Sequence, residues 1–159
     1  MRIYPVWRLA HEGDYGSLLD VLLESRGLTL AELDVGAEGL HAPELLTDLE
    51  RGAERIERAV RRDETIVVYG DYDVDGVSST ALLLDFLEYV GARCHYLLPD
   101  RHIDGYGLKP PGVDKAIALG ASLIITVDNG ISAFEALHLA RERGLDVVII
   151  DHHRQNEDL

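Results

Sequence analysis

Only one cysteine, Cys94, occurs in the 159 residues, so no disulfide can close within the chain and no multi-cysteine zinc site can form. It stands in an apolar stretch, where it reads as a small buried side chain. Long apolar runs are lacking too. Nothing approaches the roughly eighteen residues of a membrane span, and Met1-Arg2-Ile3-Tyr4-Pro5 lacks the apolar middle of a signal peptide. A cytoplasmic location without membrane contact is the expectation. Basic residues are scarce, 15 Lys and Arg against 29 Asp and Glu. The formal net charge of −14 leaves this segment ill suited to grip a phosphate backbone alone, because such binding relies on Lys and Arg releasing counter-ions. The acid is better placed opposite metal cations, and any positive surface for nucleic acid must come from elsewhere. What is present, 47% hydrophobic and 28% charged residues, suits one soluble domain with a real core.

The chain divides by pattern near residue 62. Before it the reading is helical. Tyr15 to Ser25 carries leucines and a valine at helical spacing and is followed by Gly27, while Thr29 with Glu32 forms a capping box for a short turn. From Pro43 to about Arg62, Leu45, Leu49, Ala53, Ile56 and Val60 step by three and four, with Pro43 in the first helical turn. The Arg55, Arg58, Arg61 and Arg62 series is interleaved with Glu54 and Glu57 and reads as a solvated helix surface rather than a nucleic-acid contact.

After Asp63, short β-branched runs alternate with helical stretches. Strands are predicted at Thr65 to Tyr69, Cys94 to Leu98, Leu123 to Val127 and Val147 to Ile150. Helices are predicted at Val77 to Val90, Val113 to Leu119 and Ser132 to Arg143, the last two closed by Gly120 and Gly144. Strands alternating with helices imply right-handed crossovers, so the fold class is α/β, a doubly wound parallel sheet with helices on both faces.

In such sheets ligands bind beyond the carboxyl ends of the strands. All four ends are polar here: Gly70-Asp71-Tyr72-Asp73-Val74-Asp75-Gly76, Pro99-Asp100-Arg101 onward to Gly107, Asp128-Asn129-Gly130, and Asp151-His152-His153. Alternate carboxylates at Asp73 and Asp75 repel and raise each other's pKa unless a divalent cation lies between them. An isolated Asp-x-Asp is ordinary turn chemistry. Joined by Asp128, His152 and His153 at neighbouring strand ends, it reads as a metal site.

Two imitators fail. Asp71, Asp73, Asp75 and Gly76 fit the first positions of a calcium EF-hand loop, but its twelfth position is Leu82 where a bidentate Glu is required, and a strand precedes it. Asp73-Val74-Asp75-Gly76-Val77 resembles the opening motif of haloacid-dehalogenase-type phosphatases, which leaves Asp151-His152-His153 without a role.

Taken in order, the Asp73 loop, Asp128-Asn129-Gly130 and Asp151-His152-His153 resemble the first three motifs of the DHH phosphoesterases. The linking Pro99-Asp100-Arg101 and Gly105-Tyr106-Gly107-Leu108, with the helical leader, narrow the likeness to the RecJ-type single-strand DNA exonucleases. The resemblance implies two divalent ions, manganese or magnesium, activating water against a phosphodiester. It makes Asp73, Asp75, Asp128 and His152 metal ligands, with Asp128 bridging both ions. His153 then faces the scissile phosphate, and Asp151 orients the histidines from behind. Gly76 and Gly130 are expected to open helices whose N-termini receive phosphate oxygens.

Many members place a metal-binding His four residues before the first Asp of the pair; Tyr69 stands there, and Asp71 is the expected substitute ligand. Residues 1–62 are then a helical leader and 63–159 the N-terminal part of the DHH domain. A further ligand and a substrate-binding C-terminal domain are expected beyond Leu159, so this stretch alone should be inactive or weak. The implied function is 5′-to-3′ exonuclease action on single-stranded DNA in repair and recombination. The alternatives are a phosphodiesterase of short oligonucleotides or cyclic dinucleotides, and a DHH module without turnover.

Overall fold

Alternation along two strands decides how the chain is layered. The computed structural model describes residues 17–34, 36 and 39–154. In β1 (Ile66–Tyr69) and β3 (Leu123–Val127) every residue is buried, because side chains with a period of two serve cores on both faces of the sheet. Ile66, Val68, Leu123, Ile125 and Val127 pack with Ala59 and Leu87 from helices α2 (Leu49–Arg61) and α3 (Val74–Tyr89). Val67, Tyr69 and Ile124 point the other way, into α4 (Pro110–Ala118) and α5 (Phe134–Glu142). Each such side chain contributes about 1.5–3 kcal/mol through burial.

The edge strands β2 (Cys94–Leu97) and β4 (Asp146–Ile150) are only partly covered. All pairings are parallel and the order is β2-β1-β3-β4. From β1 the chain turns one way to β2 through α3, then crosses back past β1 to β3 and continues outward to β4. Reversing direction with right-handed crossovers places α3 on one face and α5 on the other. The reversal falls between β1 and β3, the position where open sheets of this kind hold ligands.

Helix boundaries differ from the sequence reading for identifiable reasons. Helix α3 starts at Val74 because Asp73 caps it, its carboxylate accepting the Gly76 N–H at 3.0 Å. Helix α4 starts at Pro110 and Pro111, where a missing N–H costs nothing. The single helix expected from Pro43 is instead a 3₁₀ turn, Pro43–Leu45, separate from α2; Asp48, at a φ of 56°, adopts a left-handed conformation that interrupts the run.

The described residues up to Leu45 belong to a unit of their own. Within it, α1 (Leu18–Arg26) is capped by Ser17 and closed by Gly27 at a φ of 64°, and the Thr29–Glu32 capping box is formed. The expected helix start at Tyr15 lies outside the described residues.

Arg55 corrects the sequence reading of the arginine series. Arg58, Arg61 and Arg62 are exposed, but the Arg55 side chain is 13% exposed and ties the amino ends of the sheet together. Its guanidinium donates to Glu64 at 2.7 Å, to Asp146 at 2.5 Å and to the Ser122 carbonyl at 3.4 Å. Asp146 is 60% exposed, which discounts that partner for screening. Arg55→Ala is therefore expected to cost about 1–2 kcal/mol in urea unfolding, most of it from stranding Glu64. A loss no larger than that of Arg58→Ala would show the clasp to be inert.

Candidate metal centre

Two loops supply most of the acid. After β1, the chain runs through Asp71 to the Asp73 cap of α3. Gly76, in the first turn of that helix, lies so close to the loop that a Cβ would meet the Asp71 backbone at 2.5–2.7 Å. This contact folds Asp71 inward. Asp71 is fully buried, and neither carboxylate oxygen has a hydrogen-bond partner. Burial raises its pKa, Asp73 adds to the rise, and the Tyr72 amide, Arg101 and His153 oppose it.

After β3, Asp128 sits in the left-handed region at a φ of 62°, which Asp tolerates better than most residues. Its Oδ2 is buried without a partner, while Oδ1 lies 3.3 Å from Nε2 of His152. The Asp73 and Asp128 carboxyls lie within electrostatic reach of each other. The Gly76 N–H holds Asp73 below the usual carboxylate range; burial and Asp73 push Asp128 above it.

The third contribution follows β4. Asp151 is almost wholly buried; Oδ2 accepts the Ile131 N–H at 3.0 Å, and Oδ1 accepts the His153 N–H at 3.0 Å and faces Nδ1 of that ring at 2.7 Å. The His153 pKa is raised, first by this carboxylate. Asp151 itself is lowered: burial pushes it up, and the donors from His153 and Ile131 outweigh that.

Donor atoms of Asp128, His152 and His153 all lie within 4.8 Å of one another. Ligands on opposite sides of a divalent cation, with bonds of about 2.1 Å, stand about 4.2 Å apart, so small rotations suffice. Asp73 adjoins this group through Asp128. Asp71 lies within electrostatic reach of Asp73 and His153. Asp75 is exposed on the first turn of α3 and is not among the three residues whose donors converge. Buried carboxylate oxygens with no partner, next to mixed Asp and His donors, are a set that divalent cations satisfy.

The glycines behave differently from the sequence reading. Gly76 is the third residue of α3, and its N–H is already given to Asp73, so it offers no free donor to a phosphate. Gly130 precedes the α5 start by four residues; at a φ of 113° it packs where a Cβ would lie 2.5 Å from the Thr126 hydroxyl. Tyr69 turns into the core under α4, its OH donating to the Gly107 carbonyl at 3.4 Å, with a pKa pushed up to about 12 by burial, Asp104 and Asp71.

Asn129 and Tyr106 had no assigned role in the sequence reading. Buried Asn129 donates to the Tyr69 and Val127 carbonyls and accepts the Leu108 N–H, joining the ends of β1 and β3 to the loop before α4. The Tyr106 OH donates to the Asp128 carbonyl at 3.1 Å and stands 3.2–3.3 Å from the His153 ring nitrogens. Its position among the motif glycines was the only signal for it in the sequence.

The DHH family, N-terminal domain, matches residues 65–159. This chain belongs to the DHH family. The single-stranded-DNA-specific exonuclease RecJ of Escherichia coli is 42% identical over 144 residues, 89% of this chain and 25% of that protein. The RecJ of Bacillus subtilis is 38% identical over 89% of this chain and 19% of its own length. The DHH chain thus spans about a quarter of the E. coli relative. A crystal structure of exonuclease RecJ bound to manganese superposes with a TM-score of 0.68 at 35% identity, over 74% of this chain and 30% of that one. The manganese complex of Thermus thermophilus RecJ gives a TM-score of 0.63 at 31% identity, over 75% and 17%. These likenesses agree with the parallel α/β sheet described above.

Proposed function

We propose that this DHH chain carries the metal-binding part of a RecJ-type exonuclease that hydrolyses single-stranded DNA from its 5′ end in repair and recombination. The observation that carries the reading is the gathering of Asp71, Asp73, Asp128, His152 and His153 at the β1–β3 crevice, with three carboxylate oxygens buried and unpartnered. Asp71, Asp73, Asp128 and His152 would hold manganese or magnesium, with Asp75 closing in from α3. The bound cations supply charge neutralisation and an acidified water to a phosphodiester.

The remaining work belongs to side chains. Asp151 fixes the His153 ring through Nδ1, and Nε2 stands 3.2 Å from the Tyr106 hydroxyl. An imidazole held in this way suits a group that donates to a phosphate oxygen. Asp128, whose oxygens lie within reach of both Asp73 and His152, would be the residue to serve two ions. None of this requires the chain to attract DNA by charge, and at −14 it does not. The reading places the protein in the cytoplasm; among the described residues no helix is long and apolar enough to cross a membrane.

The test uses the protein expressed from its whole natural reading frame. Manganese-dependent release of mononucleotides from 5′-ended single strands is expected, abolished by EDTA and by Asp128→Ala. Faster cleavage of dinucleotides than of long strands would move the substrate to short oligonucleotides or cyclic dinucleotides. Metal binding with no turnover on either would make the module non-catalytic.

A further inference from the structure

We propose that Asp104 and Lys115 form a latch that positions Tyr106 against Asp128 and His153, and so sets the His153 ring for the reaction; the proposal rests on the hydrolytic reading above. The loop between β2 and α4 is wound on itself by two aspartates. Asp100 Oδ1 accepts the His102 and Ile103 amides at 2.8 and 3.2 Å, and Asp104 Oδ2 accepts the Asp100 amide at 2.9 Å. The Asp100 carbonyl takes three further amides, from Ile103, Asp104 and Gly105. The knot is tied to α4 at Asp104. Lys115 Nζ lies 3.2 and 3.3 Å from its two carboxylate oxygens, and Lys109 Nζ donates to its carbonyl at 2.7 Å.

Immediately after the knot, Tyr106 stands between Gly105 and Gly107, both at a φ of 72°. Glycines there give the loop more backbone freedom than any other residue would. Beyond them the chain is seated again, Leu108 donating to Asn129. Tyr106 is thus suspended between a latch and a seat. Its hydroxyl reaches the Asp128 carbonyl and the His153 ring, whose centroid lies 5.7 Å from its own in an edge-to-face arrangement.

The latch is weak as a stabiliser. Lys115 is about half exposed, and pairs of this kind contribute little to global stability. Breaking it therefore removes one tie of the loop to α4 without unfolding the domain, and the Lys109 contact remains. The Asp100 amide and Lys115 hold the Asp104 carboxyl below its usual range, so the pair persists at neutral pH.

The experiment compares Lys115→Met, Lys115→Arg, Tyr106→Phe and the Lys115→Met/Tyr106→Phe double variant in the natural full-length protein. Manganese-dependent turnover should fall roughly tenfold to a hundredfold in Lys115→Met, the range that small misplacements cost. Lys115→Arg should restore it, and the double variant should be no slower than Tyr106→Phe alone. Independently of substrate, the His153 ring-nitrogen NMR signals, assigned with His153→Asn, should move in Lys115→Met as they do in Tyr106→Phe. Unmoved signals, or single-variant losses that multiply in the double variant, would overturn the latch. A wild-type protein that releases no nucleotide defeats the hydrolytic reading instead, and the NMR comparison still decides the latch.

Discussion

Asp71→Asn is expected to raise the melting temperature of the metal-free protein while lowering its manganese affinity roughly tenfold to a hundredfold. Both changes have one origin. Asp71 is fully buried, its two oxygens have no hydrogen-bond partner, and burial followed by Asp73 raises its pKa. Asparagine preserves the shape and removes the charge that the fold must otherwise desolvate. The gain in stability should be about 1–2 kcal/mol at neutral pH.

The sign with pH follows from linkage. A carboxyl whose folded pKa is raised binds its proton more tightly in the fold than in the unfolded chain. It therefore costs stability at neutral pH, and that cost disappears as pH falls through the raised value into the ordinary carboxylate range. The advantage of Asp71→Asn should shrink accordingly towards acid. Thermal melts in EDTA across that range, with manganese titrations at neutral pH, measure both halves. A lower melting temperature with unchanged affinity would make Asp71 a structural carboxylate and end its candidacy as the ligand in place of the missing histidine.

Gly76→Ala should be strongly destabilising. The added Cβ would fall 2.5 Å from the Asp71 nitrogen, 2.6 Å from its oxygen and 2.7 Å from its carbonyl carbon. These are backbone atoms and cannot swing aside. Either α3 lifts from the end of β1, breaking the Asp73 cap, or the Asp71 loop moves out of the crevice. Overpacking of this kind plus a lost cap amounts to about 3–4 kcal/mol. Gly27→Ala is the control: at a φ of 64° with nothing near its Cβ, it should cost about 1 kcal/mol of conformational strain. Guanidinium unfolding distinguishes the two. Equal losses would mean that α3 does not rest on the Asp71 backbone.

The parts of the molecule that were legible beforehand are those written in contiguous residues. Ile66–Tyr69 and Leu123–Val127 announce buried parallel strands because β-branched runs bounded by Gly and Asp have few other uses. The polar residues after each strand followed, since the topology assigns ligands to that edge. What stayed hidden depends on partners far along the chain. Arg55 looked like helix surface because Glu64, Ser122 and Asp146 are 9, 67 and 91 residues away. Tyr106 meets His153 across 47 residues, and Asn129 meets Tyr69 across 60. The start of α3 was misplaced for a local reason: Asp73 was read as a ligand, and one of its oxygens also caps the helix.

Arg55 gives the sheet an asymmetry of charge supply. Where the strands begin, the protein carries its own counter-ion, a guanidinium held between Glu64 and the more exposed Asp146. Where they end, the carboxylates of Asp71, Asp73, Asp128 and Asp151 outnumber the cationic partners the described residues place there, His152, His153 and Arg101, so neutrality depends more on what the surroundings provide. One end of the fold thereby depends less on its ionic environment than the other. On the metal-binding reading, divalent cations would set the charge of the working edge while Arg55 holds the opposite edge together.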